Sequence, residues 1–107
     1  MNLHIASAWL ERLHAGFSDL HQFAVQLRDA ASASGRESAA LALLAERAAV
    51  FCERHEGAAV STSVVDEFIA ELREDALKLK SASEASDAAF LEALNAFAGR
   101  LAPTMVV

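Results

Sequence analysis

Between Leu3 and Ala31 the residues Leu3, Ala6, Leu10, Leu13, Phe17, Leu20, Ala24, Leu27 and Ala31 recur at alternating intervals of three and four. Such spacing lines up one face of a helix, and the two-residue period of a strand cannot produce it. It predicts one long first helix, opened by Asn2 as N-cap and ending at Ser34 and Gly35, about 45 Å long at ~1.5 Å per residue. Trp9 and Phe23 fall one position before the seam, on a line shared with Gly16 and Ala30. The apolar arc is therefore wider than a two-stranded coiled coil needs, and the helix wants two or more neighbours. Gly16 costs up to ~1 kcal/mol relative to alanine in such a helix. It is read here as a point of close approach by a neighbour beside Phe17, in preference to a hinge.

Three further helices follow from punctuation and periodicity. Ser34-Gly35-Arg36-Glu37 fits the capping-box pattern, and Leu41, Leu44, Ala48, Phe51 and His55 form the stripe of a second helix that Gly57 stops. Ser61, Thr62 or Ser63 caps a third, whose inner face is Val65, Phe68, Ile69, Leu72, Ala76 and Leu79. The stretch Ser81 to Asp87 has three serines and no large apolar residue, so the helix either breaks or continues solvated. Ser81-x-x-Glu84, a second capping-box match, favours a break, and Ser86 with Asp87 offers another opening. A fourth helix with Phe90, Leu91, Leu94, Phe97 and Leu101 on its apolar face is expected to run to about Arg100, with Gly99 and Pro103 marking its end.

One proline and four glycines in an alanine-rich chain without tyrosine disfavour sheet. The expectation is an all-α protein: a single domain over residues 1–107, an up-down antiparallel bundle of three or four helices with a long first helix. A lone cysteine, Cys52, rules out an internal disulfide and suits a reducing compartment. The N-terminus has no basic region, and the longest apolar run, Ala39 to Ala45, is far short of the roughly 20 residues that span a bilayer. A cytoplasmic location without membrane attachment is expected.

The net charge is −6, with seven acids against five bases in residues 1–56 and eight against four in 57–107. No patch of Lys and Arg is available for phosphate, so direct nucleic-acid binding is not expected and a basic protein partner is. Glu67, Glu71 and Asp75, at i, i+4 and i+8 and flanked by Asp66 and Glu74, read as a carboxylate stripe on the outer face of the third helix. Like charges at that spacing repel, so the stripe adds nothing to folding. It is the expected partner-binding surface, and the same chemistry would serve an acidic decoy for a nucleic-acid-binding protein. The excess length of the first helix points to a homodimer through Trp9, Leu13, Phe17 and Phe23.

Glu11 and His14 form a Glu-x-x-His pair, the spacing used in di-iron carboxylate bundles. No other histidine stands three residues after an acid, so a metal site would need a second copy of the pair across a dimer axis. Cys52 and His55 share a face but lack the further ligands that zinc requires. No Gly-rich phosphate loop, Ser-His-Asp set or paired-acid site is present in a convincing arrangement, so neither an enzyme nor a bound cofactor is expected. The reading that results is a non-catalytic protein–protein interaction module, an adaptor, chaperone or inhibitor of a larger protein, acting as a homodimer. Its rival is the metal-binding bundle built on Glu11 and His14.

Overall fold

The chain departs from a continuous rod after Leu10, and Gly16 opens the next helix. The computed structural model describes residues 1–12, 15–33 and 35–105, with backbone alone for 104 and 105. Among these residues there are five helices and no strand: α1 (Leu3–Leu10), α2 (Phe17–Ala31), α3 (Ser38–Arg54), α4 (Thr62–Ala85) and α5 (Asp87–Met105). The long first helix is thus corrected to a short α1 and a separate α2. Gly16 takes an extended conformation (φ −91°, ψ 177°) as the N-cap of α2, and its N–H donates to Asp19 Oδ2 at 2.9 Å. A Cβ placed on it would touch only that same carboxylate, at 3.7 Å, so no neighbouring helix exploits the missing side chain. The carboxylate of Asp19 in the first turn also complements the positive end of α2.

The seam survives the break. Leu3, Ala6, Leu10, Leu20, Ala24, Leu27 and Ala31 are all buried, yet α1 packs mainly on α4 while α2 packs on α3. Periodicity reports which side of each segment is buried and is silent on whether the two segments share an axis.

Eight residues do not hold a helix in water by themselves, and α1 is tied at both ends. Asn2 Oδ1 accepts from the Ile5 N–H at 2.9 Å, as the sequence leads one to expect. The Leu3 N–H donates to Glu37 Oε1 at 2.6 Å, so Glu37 serves the N-terminus of α1. At the other end the Leu10 carbonyl accepts from Arg73 Nε of α4 at 2.7 Å, which places a cation at the negative end of α1.

The remaining boundaries differ in instructive ways. A 3-10 turn, Gly35–Glu37, precedes α3, with Gly35 at φ +59°, and Gly57 supplies the left-handed stop at φ +77°. The 24 residues of α4 make it the longest helix, running straight through Ser81 to Ala85. The break comes at Ser86 alone, whose Oγ accepts from the Ala89 N–H at 3.0 Å. This serine-rich turn has tertiary contacts: Arg36 donates to Ser83 Oγ at 2.6 Å and to Asp87 Oδ1 at 2.6 Å, and its guanidinium lies 4.7 Å from the Phe90 ring centroid. At the C-terminus α5 continues past Gly99 and Pro103 to Met105. Proline removes the hydrogen bond to the Gly99 carbonyl, a small loss here because both residues are exposed and water can replace it.

Side-chain pairs show how the helices face one another. Arg28 late in α2 approaches Glu46 at the middle of α3, and Phe17 at the start of α2 meets Phe51 late in α3, so these two run in opposite directions. Phe51 also stacks on Phe68 near the start of α4 (ring centroids 4.0 Å apart), whereas Arg36, just before α3, reaches Ser83 near the end of α4. Asp75 and Arg100 meet across the Ser86 junction, which closes α4 and α5 into a hairpin. Leu41 and Leu44 of α3 and Leu72 and Leu79 of α4 are the most deeply buried side chains of this half.

Candidate functional site

The carboxylate stripe expected on α4 divides in two. Asp75 does not lie on an outer face: it is 5% exposed, wedged where α3, α4 and α5 meet. Arg100 Nη1 lies 3.3 Å from its Oδ1 and Arg47 Nε lies 3.1 Å from its Oδ2. The Arg47 Nε–H is buried and misaligned for a hydrogen bond, so that contact is ionic in character. Arg47 Nη2 donates to Glu71 Oε2 at 3.0 Å, and its guanidinium lies over the Phe68 ring at 5.3 Å. Arg100 sits likewise over Phe97 at 5.5 Å. The assignment of Asp75 to a partner surface is therefore corrected: two arginines from two other helices hold it, and its work is to join those helices. Neither arginine was singled out from the sequence. The signal was available, since Asp75 stands three residues after Leu72 and four before Leu79, on the buried seam itself.

What remains outside is a narrower acidic face. Asp66, Glu67, Glu71 and Glu74 are exposed, beside Leu77, which is 39% exposed. Glu71 is partly neutralised by Arg47. Glu67 and Glu74 point away from the core, and no cation among the described residues pairs with either.

The four apolar contacts expected at a dimer interface also separate. Phe23 is 1% exposed and its ring stacks on Trp9, with centroids 3.9 Å apart and planes within 2°. It belongs to the subunit core, which corrects its assignment to an interface. Trp9 is half-buried between Phe23 and Arg12, whose guanidinium lies 5.5 Å from the indole centroid. Phe17 is half-buried against Phe51, and Leu13 lies outside the described residues. His14 lies outside them too, and among the described residues no group of three or more His, Cys, Asp or Glu is placed to hold a metal ion.

Phe17 marks one end of a groove of about 390 Å³ between α2 and α3. Ala24, Ala49 and Cys52 make its floor, because small residues on both helices leave the space between them unfilled. Val25 and Phe17 stand on one lip, while His21, Arg28, Glu53 and Glu56 form a polar rim. Burial, reinforced by the adjacent Glu53 carboxylate, pushes the Cys52 thiol above its ordinary range, and the His55 ring packs against Phe51 at 4.5 Å. The thiol is thus kept in its protonated, weakly nucleophilic form. A group whose folded-state pKa is raised contributes stability that is present below its unfolded pKa and is lost as pH rises through the folded value. Wild-type protein should therefore lose stability relative to Cys52→Ala as pH climbs above about 8.5, read as the difference between their melting temperatures at neutral and alkaline pH. A constant difference across that range would show that the thiol does not titrate differently in the folded chain.

No family model, curated protein or solved structure matches the chain. Among the described residues no helix is long and apolar enough to cross a membrane.

Proposed function

We propose that this chain is a non-catalytic protein–protein interaction module, an up-down helical bundle that works in the cytoplasm as a homodimer and presents α4 to a basic partner. The observation that supports the reading is the exposed row of Glu67, Glu71 and Glu74 beside Leu77. Arg47 already offsets Glu71, so it is Glu67 and Glu74 that a partner's Lys and Arg side chains would pair with, while Leu77 adds apolar contact. The acidic-decoy version loses Asp75 from its charge array, which weakens it relative to an ordinary protein partner. The metal-binding alternative on Glu11 and His14 rests on a residue that lies outside the described ones.

The test is affinity capture from the native host with wild-type protein and with the double variant Glu67→Lys/Glu74→Lys. Both positions are exposed, so the melting temperature should change little. A stoichiometric basic partner retained by wild type and reduced at least tenfold by the double variant is the expected result. A partner held equally by both proteins, or no stoichiometric partner at all, counts against the reading.

A further inference from the structure

The α2–α3 groove has a polarity along its length that no single-chain role requires. Because the two helices run oppositely, its Phe17 end carries Glu53 and Glu56, and its other end carries Arg28. Neither Glu53 nor Glu56 meets a cation among the described residues. Arg28 has only Glu46, at 4.0 Å and with both side chains exposed, a contact that holds it weakly. Val25, 48% exposed, stands on the lip between the two ends. The groove therefore has a floor without large side chains, an apolar knob within one turn of its Arg28 end, and opposite charges at opposite ends.

From this arrangement we infer that the groove is covered by a second copy of the same chain, related by a two-fold axis that lies between the copies and crosses the groove at right angles to its length. The proposal rests on the homodimeric part of the function given above and names its surface. A two-fold axis lying in the interface at right angles to the length of the groove exchanges its ends, so Arg28 of each copy comes over Glu53 and Glu56 of the other, and the charge pairing occurs twice. The same rotation turns each Val25 toward the other copy's groove. A head-to-head superposition without that exchange sets carboxylates against carboxylates, which opposes it. The interface moves from Trp9 and Phe23, which the subunit core uses, to the α2–α3 face.

Charge reversal tests this directly. Wild-type protein should show twice the monomer mass of 11.4 kDa in light scattering at sub-millimolar concentration. Arg28→Glu and the double variant Glu53→Arg/Glu56→Arg should each be folded by circular dichroism and monomeric, with dimer affinity reduced at least tenfold at low salt. Mixed in equal amounts, the two variants should recover the dimer mass, because each then presents what the other lacks. Val25→Asp, at a side chain already half exposed, should separate the copies by a route independent of the charged pairs. A monomeric wild type overturns both this proposal and the homodimer, while leaving the α4 partner experiment untouched. A wild-type dimer that survives both reversals, or a mixture that stays monomeric, leaves a homodimer possible and removes it from this face.

Discussion

Asp75→Asn is expected to lower unfolding stability by about 3 kcal/mol, the low end of what breaking a buried ion pair costs. The substitution keeps the volume and removes the charge, so cavity formation does not enter. Arg47 is left 28% exposed on its side chain, with only Glu71, itself 66% exposed, to balance it. Arg100 is 59% exposed and can turn to water, which holds the loss to the lower end of the range. For comparison, Glu67→Gln on the outer face should stay within about 0.5 kcal/mol of wild type. Replacing the pair together, Asp75→Leu with Arg47→Met, should regain most of the loss, because an apolar pair of similar size carries no desolvation penalty. Urea unfolding of the four proteins provides the comparison. If Asp75→Asn and Glu67→Gln prove equally mild, the three-helix ionic junction has no energetic weight.

Phe23→Ala should be costlier, about 3 to 5 kcal/mol, as expected for truncating a fully buried aromatic ring. The ring is 1% exposed and lies flat against Trp9, so its removal both opens a cavity and leaves the indole without its stacking partner. Trp9→Ala should cost less, since the indole is already part-exposed, and the pair should show a coupling of about 1 kcal/mol in a double-mutant cycle. For a domain of this size the Phe23→Ala loss lowers the melting temperature by roughly 4 °C or more per kcal/mol. The oligomeric mass of the folded protein should be unchanged by either substitution. A change in mass with little change in melting temperature would return both rings to an intersubunit surface.

These two residues also show where reading the chain alone stops. Asp75 and Glu71 carry the same charge four residues apart on α4, and a chain of letters treats them as one stripe. Only the arrival of Arg47 from α3 and Arg100 from α5 separates them, and partners 25 to 28 residues away leave no local trace. Phe23 was placed beside the seam correctly, but what it faces depended on whether the rod was straight. The groove's floor was not legible, because small residues such as Ala49 and Cys52 are compatible either with close helix approach or with unfilled space. Nor was its charge polarity, because that needs the relative direction and register of α2 and α3.

The apolar spacing and the scarcity of glycine and proline determined by themselves that the chain is helical, and they picked most of the buried face of each helix. Asn2 and Gly57 were equally readable as boundaries, and Ser61 was one of three adjacent cap candidates, because caps and left-handed stops are local chemistry. Tertiary contacts decided the rest: that helix ends at Leu10 and resumes at Phe17, and that Asp75 is inside. The physical reason is the same in each case. Local preferences at these positions differ by ~1 kcal/mol or less, and packing, capping from a distant helix and ion pairing across the core each outweigh a difference of that size.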